Sequence, residues 1–200
     1  MSKKAAWIVP VMLEGHFVRL EPIKPKHARQ LAKVVDPEFF RYFLGGEPTE
    51  ASVPAMRAYI QHVRQLANTI PFAIIDLERR RAVGMTSYMD IRDEHLGLEI
   101  GRTWLAHEAQ GTKINPEAKL LLLEHAFDRC RAERVQIKTD SRNLQSRAAI
   151  EKLGAKFEGT LRKQFKMSDG YQRDTVMFSI IREDWPMVKE RLVKRLAPFK

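Results

Sequence analysis

Glu99-Ile-Gly-Arg-Thr-Trp-Leu105, followed at once by Gln110-Gly-Thr-Lys-Ile-Asn-Pro-Glu-Ala118, is the stretch on which the fold turns. The first segment belongs to a strand over Leu96 to Leu105. The second leads from a loop into a helix: Asn115 is a favoured N-cap type, Pro116 fits the first helical position, and Glu117 supports the first turn. That helix is expected from Pro116 to about Arg129, before a strand over Arg134–Thr139. Strand, glycine-containing loop, helix and strand from Glu99 to Thr139 thus form the centre of one mixed α+β sheet with helices on its faces.

Outward from this centre the periodicity alternates between the two element types. Phe17 to Leu20 reads as a first strand, and Pro25 opens a helix to about Val35 with Ala28, Leu31, Ala32 and Val35 on one face. The aromatic stretch Asp36 to Pro48 ends in breakers and reads as an irregular connection. A helix from about Ser52 to Ala67 follows. Phe72 to Leu77, Ala82 to Ile91 and Leu96 to Leu105 then form an antiparallel meander. After the centre come a helix over Leu144–Leu153 stopped by Gly154, and a hairpin of Lys156–Met167 with Arg173–Ile181 turned at Ser168-Asp-Gly170. A last basic helix is capped by Asp184. The sum is a twisted, mostly antiparallel sheet of about seven strands. Residues 1–200 form one domain, with 1–14 an N-terminal extension and 183–200 the C-terminal basic helix.

The 200 residues suit one core, which buries roughly 70% of the unfolded surface. No apolar run approaches the ~20 residues that span a bilayer, and the basic N-terminus lacks a cleavage site, so a cytoplasmic location is expected. The lone Cys130 excludes a disulfide framework or a cysteine-rich metal site. The net charge of +10 attracts polyanions, among them nucleic acid, acidic proteins and phosphate-rich cofactors, without choosing between them.

A helix start leaves backbone N–H groups unpaired and carries partial positive charge, so the loop suits a phosphate. Gly111 permits close approach, Thr112 offers a hydroxyl and Lys113 a full charge. The same residues are equally those of a well-capped helix after a loop. The wider pattern favours the phosphate. The two opening segments, with Asn143-Leu-Gln-Ser146, Lys152-Leu-Gly-Ala155 and the early Asp36-Pro-Glu-Phe-Phe-Arg-Tyr42, resemble the GNAT superfamily of N-acetyltransferases, nearest the branch acetylating ribosomal-protein N-termini (RimJ/RimL-like). The family's loop has Gln or Arg, two residues, Gly, one residue, then Gly or Ala. Gln110 matches, whereas Lys113 and Asn115 occupy the two small positions.

The resemblance implies acetyl-CoA as co-substrate, no metal, and direct attack of an amine on the thioester in a ternary complex. It assigns Glu99 as general base, on the assumption that Leu98 and Ile100 face the core, and Ser146 as a group near the sulfur. It assigns the cofactor to Trp104, Leu105, Gln110, Gly111, Thr112, Lys113, Ile114, Asn115, Asn143 and Lys152, with Arg142 and Arg147 as further candidates for the ribose phosphate. Phe39, Tyr42 and Phe43 would line the entry of the acceptor, a small-molecule amine or a protein N-terminus. His125 is expected as a packed core histidine, and His107 lacks a second ligand at metal spacing. An acidic protein partner and a homodimer stay open, and neither membrane nor nucleic acid is expected. The rival reading is a GNAT-fold module without catalysis, sensing CoA or binding nucleic acid or protein, motivated by the departure at Lys113 and Asn115.

Overall fold

The computed structural model describes residues 7–199; residues 1–6 of the expected N-terminal extension and residue 200 of the C-terminal helix lie outside it. Among the described residues, eight strands form one sheet in the order β1-β2-β3-β4-β5-β6-β8-β7. They are β1 (Leu13–Glu14), β2 (Val18–Pro22), β3 (Ile70–Asp76), β4 (Arg81–Arg92), β5 (Gly97–Leu105), β6 (Arg134–Asp140), β7 (Lys156–Lys166) and β8 (Gln172–Ile181). All pairings are antiparallel except β5 with β6. The α+β class and the mostly antiparallel sheet are therefore as the periodicity implies. The strand beyond the expected seven is β1, two residues too short to carry a period of their own.

Helices cover both faces. Helices α1 (Ala28–Leu31) and α2 (Val53–Gln65) lie on one, where Leu31, Met56, Tyr59, Ile60 and Val63 pack with Ala73, Met85 and Trp104. Helices α3 (Ile114–Glu124), α4 (Leu144–Leu153) and α5 (Trp185–Leu196) lie on the other, where Leu122, Ile150, Leu153, Val188 and Leu192 pack with Leu98, Ile100, Val135 and Phe178. Apolar burial on both faces suits the near-continuous apolar run of β3, buried at every position. The last strand, β7, is exposed along most of its length, including the basic run Arg162–Lys166.

Several boundaries differ from the sequence reading, each for a local reason. The helix opened by Pro25 is a 3-10 turn over Pro25–His27 and then only α1. Its end tightens through Lys33 N–H to Gln30 and Val34 N–H to Leu31, ahead of a β-branched pair and a residue that precedes proline. Helix α3 begins two residues before Pro116 and is followed by a π-helical turn over His125–Arg129. Asn115 is thus not its N-cap. The Thr112 hydroxyl accepts from Ile114 N–H at 3.2 Å and starts the helix there, while Pro116 falls in the first turn, where a missing N–H costs nothing. Asp184 stands at the N-cap of α5 but caps nothing with its side chain, which pairs with Lys156 at 2.6 Å.

Glu117 does more than support a first turn. Its buried carboxylate accepts three backbone N–H bonds, from His16 at 2.9 Å and from Phe17 and Val18 at 2.6 Å each. A Cβ on Gly15 would stand 2.7 Å from that carboxyl carbon, so glycine is required for this close approach. The contact clasps α3 to the turn that begins the sheet.

Candidate active site

Strands β5 and β6 pair only from Gly97–Glu99 to Arg134–Gln136. Beyond Glu99 both strands line a cleft of about 690 Å³, with Gly101 to Leu105 on one side and Ile137 to Thr139 on the other. A bulge in β5 shapes its wall: the register against β4 slips between Met85 and Ser87, and Arg102 takes a left-handed φ of 48°. Side-chain parity reverses across it. Leu98 and Ile100 pack beneath α3, whereas Trp104, of the same parity, packs on the opposite face with Phe40 and Met85.

The loop from Gln110 to Pro116 forms one end of the cleft. Gln110, Gly111, Thr112, Asn115 and Pro116 line it; Lys113 and Ile114 do not. Ile114 is core, and the Lys113 ammonium pairs with Glu78 at 3.1 Å and lies over the Phe17 ring at 4.4 Å. The lysine at the family's glycine position therefore turns its charge away from the cleft. It has ordinary right-handed backbone angles, so glycine is not needed there. Gly111 has φ +72° and open space where a Cβ would point, and the buried Asn115 Oδ1 has no hydrogen-bond partner among the described residues. The helix start thus faces the cleft with no cap from its N-cap residue Lys113, only the Thr112 hydroxyl on Ile114 N–H. Gln110 spans the loop, donating to Leu105 O at 2.9 Å and accepting from Gln145 at 3.2 Å. Thr112 also donates to Ala109 O at 2.8 Å.

Glu99 stands at the fork between β5 and β6, 2% exposed and lining the cleft, while Leu98 and Ile100 face the core. Lys138 Nζ lies 2.9 Å from its carboxylate, and Gln136 donates to it at 3.2 Å. Ser146 and Lys152 line the same cleft from α4, and Asn143 caps that helix by accepting from Ser146 N–H at 3.0 Å. Arg142 and Arg147 are elsewhere: the first is held by Asp140, the second donates to Ser141 O. His107, at the cleft edge, pairs with Asp36 at 3.0 Å. His125 is packed, stacked on Tyr88 with Cys130 Sγ 3.6 Å away. Among the described residues no cluster of metal-ligating side chains occurs.

Phe39, Tyr42 and Phe43 also line the cleft, with Phe39 stacked on Trp104 at 6.0 Å. Phe40 is core between Phe43, Tyr59 and Trp104. Four charged groups here escape the sequence reading. Arg102 pairs with Glu47 at 2.7 Å, and burial raises the Glu47 pKa against the pull of that arginine. Arg173 reaches in from β8. Lys119, 9% exposed, donates to Thr103 Oγ1 at 2.8 Å, and burial alone pulls its pKa down to about 7. Only Lys119 left a trace in the sequence, as a charge set in the apolar run Ala118–Leu123. The others depend on contacts between distant elements.

An eight-stranded open sheet forking at its parallel pair, with a helix start lining the cleft beyond the fork, defines the acyl-CoA N-acyltransferase fold. The chain belongs to the GNAT acetyltransferase family: the model of the acetyltransferase (GNAT) domain matches residues 18–156. It is an N-acyltransferase, with likeness to the RimJ/RimL-like branch. Among its relatives, the "Putative ribosomal N-acetyltransferase YdaF" of Bacillus subtilis is 26% identical over 175 residues, covering 86% of this chain and 94% of that protein. A solved "putative acetyltransferase" from T. thermophilus superimposes with a TM-score of 0.88 at 40% identity, covering 96% of this chain and 100% of that one. RimJ of Mycobacterium smegmatis, solved in complex with CoA-disulfide, shares the fold at a TM-score of 0.75 and 21% identity, over 94% and 93% of the two chains. The rival module without catalysis belongs to the same fold; its motive weakens at Lys113, whose backbone is right-handed and whose charge lies outside the cleft. Among the described residues no helix is long and apolar enough to cross a membrane.

Proposed function

We propose that this enzyme moves the acetyl group of acetyl-CoA to a primary amine, on a protein N-terminus or a small molecule, by direct attack within a ternary complex. The observation that carries the reading is Glu99, a buried carboxylate at the fork, between an anion-ready helix start and an aromatic-lined pocket. The cleft fits the cofactor on its own features: a start of α3 with no cap from its N-cap residue, and the open space at Gly111. The RimJ complex with CoA-disulfide supports the same assignment by likeness of fold.

Acetyl-CoA supplies an activated thioester. The chain's residues then divide the work. Backbone N–H groups at the start of α3 hold the pyrophosphate, with Gln110, Thr112 and Asn115 shaping the loop. The free edge of β5 at Trp104 and Leu105 pairs with the pantetheine arm as an added strand. Asn143 borders that arm, and Lys152 meets phosphate at the rim. Glu99 takes the amine proton, directly or through one water, and the Ser146 hydroxyl hydrogen-bonds the departing sulfur. Phe39, Tyr42 and Phe43 exclude water around the amine.

Glu99→Gln keeps the shape and the Gln136 contact but removes the base. Its kcat with acetyl-CoA and an amine acceptor falls about 100-fold or more, while acetyl-CoA affinity by calorimetry stays within a few-fold. Unchanged turnover across the pH range rejects Glu99 as base. Absence of acetyl-CoA binding at millimolar concentration rejects the whole reading.

A further inference from the structure

Of five cations around β5, β6, β8 and the aromatic connection, three have a carboxylate partner, and the buried Lys119 donates to Thr103 Oγ1. Lys138 pairs with Glu99 at 2.9 Å, Arg102 with Glu47 at 2.7 Å, and Arg142 with Asp140 at 3.0 Å. Arg173 forms no ion pair among the described residues. It is 5% exposed and lines the cleft; its Nη1 donates to Tyr42 O at 2.9 Å, and its Nε is buried without a partner. Burial pushes its pKa below the ordinary arginine value, and the charges of Asp140 and Glu99 oppose that only in part.

A buried guanidinium lacking a carboxylate is costly, and its planar fork matches a carboxylate through two parallel hydrogen bonds. The nearby acids do not serve it: Asp140 and Glu99 pair with Arg142 and Lys138, and neither forms an ion pair with Arg173. We propose that the acceptor is an amine that also carries a carboxylate, bound by Arg173 while its amino group is presented to Glu99. The inference rests on the transferase reading and narrows its acceptor. The carboxylate belongs either to a free amino acid or to an acidic side chain beside a polypeptide N-terminus; Arg173 recognises the same group in both.

The test is a matched set of acceptors with acetyl-CoA: amino acids against their amides, and short peptides with Glu against Gln at the second position. Binding of each is also measured by calorimetry in the presence of CoA, where no transfer occurs. The carboxylate member of the effective pair is favoured roughly 10- to 100-fold in kcat/KM and in affinity. Preference within the amino acids alone marks a small-molecule acceptor, and preference within the peptides marks a protein N-terminus. Arg173→Gln brings the ratio near one, and Arg173→Lys, which keeps the charge, retains part of it. Equal kcat/KM within every pair for the unaltered enzyme, or an unchanged ratio in Arg173→Gln, overturns the inference and leaves the transferase reading standing. Tighter carboxylate binding without acetyl transfer does the reverse.

Discussion

Two helices begin at the cleft, and they begin differently. Helix α4 is self-sufficient: Asn143 caps it by accepting from Ser146 N–H, and Gly154 closes it at φ +102°. Helix α3 has no side-chain cap at its N-cap residue, and the acid of its first turn, Glu117, points away to clasp the backbone of residues 16–18. An acid there ordinarily answers the positive end of the helix. Spent on the clasp, it leaves that end to the cleft. On the proposed reading, the two starts separate a helix end kept for structure from one kept for an anion.

The comparison can be broken at four places. Glu117→Ala should have the largest effect, since it leaves three backbone donors in a closed site without an acceptor. A loss of about 4 kcal/mol is expected, seen as a Tm lower by roughly 10 °C. Lys119→Met comes next. The unfolded chain keeps the lysine proton up to a pH of about 10, whereas burial lowers the folded pKa to about 7, so folding bears the full cost below pH 7 and sheds it as pH rises. The methionine variant should therefore be more stable by about 1–3 kcal/mol at pH 6, the gain shrinking toward pH 10 in denaturant titrations. Asn143→Ala should cost about 1 kcal/mol through the lost cap, and more in stability than in acetyl-CoA affinity. Thr112→Val loses the bonds to Ile114 N–H and Ala109 O, so it should cost about 1 kcal/mol in stability and, unlike Asn143→Ala, also lower acetyl-CoA affinity about fivefold by calorimetry. If the last two variants behave alike, the two helix starts are not specialised.

Elements with strong local signals were legible in the chain. Helix α4, from Leu144 to its Gly154 stop, lies where the sequence puts it, and so do the start of α2 near Ser52 and the closing hairpin. The side-chain parity beyond Ile100 was not legible, because the bulge at Arg102 is set by pairing with β4 and not by any local pattern. The same holds in the cleft. Glu99, Gly111, Asn115, Asn143 and Ser146 face it as the motifs imply, since each sits at a strand fork or helix start that the sequence marks. Lys113 looked like a cleft charge from its spacing alone, yet the nearby Glu78 and Phe17 hold it outside. Arg102 and Arg173 are brought in by elements far apart in sequence, and no spacing rule joins them.

The Glu117 clasp reaches beyond stability. It makes the amides of residues 16–18 hostage to the position of α3, so they exchange with solvent only when that helix lifts. A ligand seated at the start of α3 holds the helix down and slows their exchange by mass action. On the proposed reading, the first turn of the sheet becomes a remote reporter of coenzyme occupancy.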